Sequence, residues 1–154
     1  MKNGKYIENG NECWYLNDKL HRIDGPAYIN SDGTQYWYLN GDLHRTDGPA
    51  YIDSDGTQKW YLNGKRHRTD GPAYINSDGT QKWYLNDKLH RTGGPAYINP
   101  SGTQAWYLNG QEVNEDTYNF ILTCTMEELI PYIFYPQYKD YKPLVEDRLR
   151  RNRK

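Results

Sequence analysis

Aromatic and apolar positions recur along this chain in a fixed register. Trp14, Trp37, Trp60, Trp83 and Trp106 stand 23 residues apart, and each opens the same run, Trp-Tyr-Leu-Asn. Residues 57–78 serve as the type unit. Residues 57–62 (TQKWYL) are rich in aromatics and bounded by turn formers, the pattern of a strand. Asn63-Gly64 then predicts a two-residue type I′ hairpin, because both central residues of that turn need positive φ. The chain returns through Lys65, Arg66, His67 and Arg68 to Asp70-Gly71-Pro72. There proline removes a backbone donor and glycine permits a bend. Strand character resumes at Ala73-Tyr74-Ile75, and Ser77-Asp78-Gly79 turns the chain into the next unit. The unit is thus two strands, the second longer and bulged at Asp-Gly-Pro. A fixed period of this length is the mark of a stacked-repeat architecture, in which each unit contacts only its neighbours.

Alternation divides the side chains between two faces. Trp, Leu, Ala and Ile are expected on a core face. Tyr15, Tyr38, Tyr61, Tyr84 and Tyr107 are expected on the other, beside Tyr28, Tyr51, Tyr74 and Tyr97. The predicted fold is mainly β, a single elongated antiparallel meander of 23-residue β-hairpin repeats with a short C-terminal helical cap. Residues 1–110 form the repeat sheet, with about nine or ten strands at two per repeat. Residues 111–154 form the cap or tail.

The ends depart from the pattern. The first unit lacks Gly-Pro, and in the last Gly93 replaces the aspartate and Pro100-Ser101-Gly102 replaces Ser-Asp-Gly. Atypical terminal repeats suit caps that blunt a sheet edge. Beyond Gly110, Asn114 is placed to cap a helix over 115–124. Thr125-Met126-Glu127-Glu128 is a capping box for a second helix. Pro131 and Pro136 are expected to kink or end it, and Pro143 fits the first turn of a third over 144–151. Leu129, Ile130, Ile133, Phe134, Leu144, Val145 and Leu149 supply the apolar face. Tyr132, Tyr135, Tyr138 and Tyr141 suit either a cover for the sheet end or a partner-binding or dimerising module.

Composition narrows the function. The chain of 154 residues carries 19 Lys and Arg against 20 Asp and Glu, so no overall field draws in nucleic acid or an anionic membrane. Only the end, RLRRNRK, is strongly basic, as a solvated helix end would be. Two cysteines, Cys13 and Cys124, make no disulfide framework and suit a reducing compartment. The opening MKNGKYIENGNE has no apolar core of a leader, and no apolar run reaches the roughly 18 residues of a membrane span. A cytoplasmic protein is expected. Tyrosine is the unusual component, 16 residues with 5 Trp and only 2 Phe. Aromatics with a polar handle suit half-exposed sheets and binding faces.

The candidate chemistry is the set His21, His44, His67 and His90, each followed by arginine (Arg22, Arg45, Arg68, Arg91). Neighbouring histidines on the ladder stand about 10 Å apart, and one metal with bonds of ~2 Å cannot span that. Four copies also argue against one preorganised catalytic constellation. The expected role is structural, with Arg45 paired to Asp47 and Arg68 to Asp70 across the bulge; a binding rim of His and Arg is the alternative. Ser-Asp-Gly-Thr offers too few oxygens for calcium and fits a turn. No nucleotide fingerprint or nucleophile elbow is present. No catalytic residue, metal or cofactor is expected.

The segment WYLNGKRHRTDGPAYINSDGT resembles a MORN repeat of the variant found in bacterial, phage and large-virus proteins. Trp60, Asn63-Gly64-Lys65, His67, Gly71, Tyr74 and Asp78-Gly79 follow that pattern in order, and the resemblance covers residues 4–110. It differs where the usual His-Gly-x-Gly becomes His-Arg-x-Asp-Gly-Pro. The resemblance implies a slightly twisted sheet acting in protein–protein association or near membranes. It implies an antitoxin-like role, or interference with a host protein in the host cytoplasm for a phage or viral chain. The expectation is therefore a non-enzymatic protein whose Tyr face binds another protein, with homodimerisation through a sheet edge or the helical tail open. WYLN before a turn is also similar to choline-binding cell-wall repeats. That likeness implies the alternative of aromatic cages for choline or a glycan. A third reading makes the helical tail the active part.

Overall fold

The computed structural model describes residues 1–134, 139 and 141–151. Its centre is a 12-stranded antiparallel sheet in meander order, whose path skips three short two-stranded hairpins that intervene in sequence. The first two strands, β1 (Gly4–Glu8) and β2 (Asn11–Leu16), form a hairpin at one edge. From there each repeat adds two strands to the sheet and raises a short hairpin above it, such as Tyr61–Leu62 with Lys65–Arg66.

The tryptophan is where the strand passes from the sheet to the hairpin. Trp37 donates its N–H to the carbonyl of Ala50, in the sheet, at 2.8 Å, and accepts from His44, in the hairpin, at 3.0 Å. Trp14, Trp60 and Trp83 repeat both bonds. At Trp37, Trp60 and Trp83 the expected single strand is broken into two pieces, whereas the strands through Trp14 and Trp106 run on unbroken. Together with breaks at the four Gly-Pro bends, this turns the anticipated nine or ten strands into 18 mostly short ones among the described residues. Successive hairpins are also joined, since Gly64 donates to the carbonyl of Leu43 and Arg45 to that of Tyr61. The turns are those the sequence called for: Asn40-Gly41 has φ of 55° and 93°, and Asn63-Gly64 51° and 76°.

Burial corrects the expected core. Tryptophans 14, 37, 60, 83 and 106 are only half-buried. The side chains buried in repeat after repeat are small: Ala27, Ala50, Ala73 and Ala96, all at 0 % exposure, with Thr34, Thr57 and Thr80. The threonines sit in the Ser-Asp-Gly turns, where Asp32, Asp55 and Asp78 accept their backbone N–H groups at 2.7–2.8 Å. The turns are laddered as well, since the Thr57 hydroxyl donates to Asn76 at 3.0 Å.

Larger apolar clusters gather at the C-terminal end. Helix α1 (Glu115–Thr123) is capped by Asn114, whose side chain accepts from the Thr117 N–H. Helix α2 (Met126–Phe134) opens on the expected capping box: Glu128 accepts the Thr125 N–H and donates its own to the Thr125 hydroxyl. Pro131 lies inside α2 and does not end it. Helix α3 spans Lys142–Arg151, beginning before the expected start. Leu108 and Val113, of the last two strands, pack with Tyr118, Ile121 and Leu144. Cys124, Leu129 and Val145 form a second cluster. The helices thus cover the last strands of the sheet. Ile130, expected on the apolar face, is exposed. The expectations placed on Tyr135, Pro136, Tyr138, residues 152–154 and the side chains of Tyr132, Ile133 and Phe134 lie outside the described residues.

Tyr118 fixes this cover to the repeats. Its hydroxyl donates to the Arg91 carbonyl at 3.0 Å and accepts the Gly94 N–H at 2.9 Å. The contact falls in the one bend where glycine, Gly93, stands in place of aspartate. Tyr118→Phe keeps the ring and leaves that part-buried N–H without its acceptor, so a loss of about 1–2 kcal/mol is expected in urea unfolding.

Candidate functional site: the two faces of the repeat sheet

The two faces differ in chemistry, and each follows from the register. On the tryptophan face, every His-Arg-x-Asp-Gly-Pro bend folds its arginine back over the tryptophan of its own repeat. The Arg22, Arg45, Arg68 and Arg91 guanidinium carbons lie 4.1, 4.2, 4.1 and 3.9 Å from the ring centroids of Trp14, Trp37, Trp60 and Trp83. Arg68 also donates from Nε to Asp70 at 2.8 Å and from a terminal nitrogen to the Pro72 carbonyl at 3.3 Å. Arg22 and Arg45 do the same with Asp24 and Pro26, and with Asp47 and Pro49. The planar fork of arginine satisfies both acceptors while its flat side covers the indole, a geometry lysine lacks. Gly71 lies beneath: a Cβ there would stand 2.9 Å from the Arg68 guanidinium carbon.

The histidines are spent between repeats. His21 and His44 accept the backbone N–H groups of Asn40 and Asn63 at Nδ1, at 3.1 and 3.2 Å. The same Nδ1 atoms meet the Asn40 and Asn63 side-chain oxygens at 2.9 and 2.8 Å. His67 meets the Asn86 side chain at 2.9 Å. His90 accepts from Asn109 and is only 4 % exposed, which removes it from any binding rim. The His-Arg set is therefore brought together as an internal clamp, with its polar capacity largely met within the chain. Three equivalent clefts of 510, 590 and 550 Å3 lie between successive bends, bordered by residues such as Arg45, Asp47, Trp60 and Arg68.

The other face carries the tyrosines. Direct antiparallel partners point to the same side of a sheet. Pairing runs Tyr6–Cys13–Tyr28–Tyr36–Tyr51–Lys59–Tyr74–Lys82–Tyr97–Ala105, one unbroken row across ten strands. Tyr36 meets Tyr28 and Tyr51 edge-on at 5.3 and 5.0 Å and stacks with Tyr38 at 6.2 Å. That stack joins the sheet row to the hairpin row of Tyr15, Tyr38, Tyr61, Tyr84 and Tyr107. Burial pushes the Tyr36, Tyr38 and Tyr61 hydroxyls up from their ordinary pKa. Burial and the Glu8 contact push Tyr15 up to about 12. The phenols therefore present neutral hydroxyls at neutral pH.

Of the nine tyrosines singled out in the sequence, eight are half-buried. Tyr84 is 8 % exposed beneath the Arg66 guanidinium, 4.1 Å from its ring, and has no surface to offer a partner. Tyr36, Lys59 and Lys82 were not anticipated, yet they belong to the row. Each stands two residues before a hairpin tyrosine, which in a strand means the same face.

No protein-family model matches the chain, and no curated protein matches it.

Two outcomes follow from the clamp. Gly71→Ala forces the Arg68 guanidinium off Trp60; a loss of ~1–2 kcal/mol in urea unfolding, with altered tryptophan fluorescence, is expected. Ion pairing with Arg22, Arg45 and Arg68 also holds the Asp24, Asp47 and Asp70 carboxyls below their usual value of 3.8. A carboxyl depressed in the folded state stabilises it above the unfolded value, and this is lost as pH falls through the folded one. The thermal midpoint should hold between about pH 7 and 5 and decline below roughly 3.8.

Proposed function

We propose that this chain is a non-enzymatic repeat protein that binds another protein through its tyrosine face. The observation that carries the reading is the unbroken row from Tyr28 to Tyr97, half-exposed and free of the bends that project from the opposite face. Aromatic rings with a polar tip are favoured at protein interfaces because they bury large area while keeping a hydrogen-bonding group. Packing between strands accounts for only part of the row. Ring-to-ring contacts link Tyr28, Tyr36 and Tyr51; at the equivalent positions of the next two repeats the rings flank Lys59 and Lys82. The opposite face supports this role less well, because its arginines are engaged by indole, carboxylate and carbonyl.

An aromatic cage for choline has less support. The ring faces it would use are covered by the chain's own cations: Arg22, Arg45, Arg68 and Arg91 on the indoles, and Arg66 and Lys59 on Tyr84 and Tyr51. The repeat resemblance fits the protein-binding reading, and an antitoxin-like or host-interfering role is a form of it. In this reading the helical tail is a cover for the sheet, since its main apolar side packs on Leu108 and Val113.

The test is affinity capture from the native host with the full chain, read by mass spectrometry. Tyr38→Ala with Tyr61→Ala should release the captured protein while the chain still melts cooperatively. Thr46→Glu with Thr69→Glu, on the other face, should retain it. Capture unchanged by the tyrosine pair would sink the proposal.

A further inference from the structure

The tyrosine row has a period, and a period selects its ligand. Each repeat adds two strands to the central sheet, which at about 4.8 Å per strand advances the row by about 9.6 Å. Along the last two repeats the row alternates Tyr51, Lys59, Tyr74, Lys82 and Tyr97. The Lys59 ammonium lies 4.1 Å from the Tyr51 ring centroid and 5.8 Å from that of Tyr74; Lys82 lies 5.2 and 5.5 Å from Tyr74 and Tyr97. Rings on both sides hold each ammonium in place. Among the described residues neither lysine forms an ion pair, whereas Arg66, the other cation of this region, is paired with Asp87 at 3.1 Å. The face thus carries two ammonium groups one repeat apart, each set between phenol rings and outside any ion pair. Asp78, whose carboxyl is lowered first by the Thr80 N–H, is close enough to Lys82 to be lowered by it too.

A ligand crossing the strands must present matching groups on one side every 9.6 Å or so. A polyproline-II segment does this: it has three residues per turn and rises ~3.1 Å per residue, so residues three apart share a side at ~9.3 Å. An extended β-chain covers ~10 Å in three residues, but residues three apart then point to opposite sides. An α-helix returns to the same side after seven residues, ~10.5 Å, and drifts by about 1 Å per repeat. Proline rings pack on aromatic tracks, and the preformed segment loses little conformational entropy on docking.

We propose that the partner presents a polyproline-II segment with an acidic side chain at every third residue, its prolines on the parts of Tyr51, Tyr74 and Tyr97 that the lysines leave open and its carboxylates on Lys59 and Lys82. This rests on the tyrosine face being the binding surface and specifies what binds there.

The test uses the full chain and fluorescein-labelled peptides, read by anisotropy. The probes are (Pro-Pro-Glu)5, its lysine counterpart (Pro-Pro-Lys)5, a peptide with glutamate at every fourth position, and a helical peptide with glutamate at every seventh. The first should bind, more weakly as salt rises. The lysine peptide should not bind, and the four-residue spacing should bind at least about tenfold more weakly. Lys59→Glu with Lys82→Glu should weaken (Pro-Pro-Glu)5 by about tenfold or more, because like charges then face each other, while the chain still melts cooperatively. Equal binding of both spacings, indifference to the charge reversal, or preference for the helical probe overturns the proposal. If (Pro-Pro-Glu)5 fails while the Tyr38 and Tyr61 substitutions still release a host protein, the peptide class falls and the tyrosine face stands. If neither holds, both readings fall.

Discussion

In each repeat an arginine guanidinium lies about 4 Å over a tryptophan ring, and the rest of the sheet depends on that contact. A single β-sheet has no second layer to bury its apolar face against, and domains ordinarily need at least two. Here each strand supplies its own partial second layer. The His-Arg-x-Asp-Gly-Pro bend leaves the plane, lays arginine on the indole and returns at a fully buried alanine. A partly desolvated cation on an indole contributes about 1–2 kcal/mol, and the stacking is repeated four times. Glycine is needed under the guanidinium for lack of room, aspartate and the proline carbonyl aim it, and the proline restarts the strand.

That clamp also decides which face is left for a partner. The tryptophan side is taken up by projecting bends whose arginines are engaged within the chain. The tyrosine side keeps continuous, half-exposed rings with neutral hydroxyls. Lys59 and Lys82 set two ammonium groups on that side one repeat apart. The helical cover addresses a different problem, a sheet edge that would otherwise expose Leu108 and Val113, and Tyr118 couples it to the one bend built with Gly93.

Much of this was legible in the sequence. The 23-residue register, the type I′ turns at Asn-Gly, the bulge at Asp-Gly-Pro, the Asn114 cap and the capping box at Thr125 each rest on local rules that neighbouring repeats reinforce. The division of faces was legible too, because alternation along a strand is strict. The identity of the core was not. Large aromatic residues at a fixed period suggested a tryptophan core, but a one-layer sheet cannot surround an indole, and the buried positions went to Ala27, Ala50, Ala73 and Ala96. The same limit hid the burial of Tyr84 and His90. Tyr84 is covered by Arg66, and His90 sits in the last repeat, next to the part of the sheet covered by the helices.

By itself, then, the sequence determined the repeat, its turns, its two faces and the helical end, since all of these follow from backbone preferences acting over a few residues. Only the tertiary structure decided that tryptophan is roofed by arginine. It alone decided that the strand breaks at Trp37, Trp60 and Trp83, and that Tyr36, Lys59 and Lys82 complete the row of tyrosines. Those facts depend on which residues of successive strands stand opposite one another, and that register is set by hydrogen bonds between strands, which no single repeat contains.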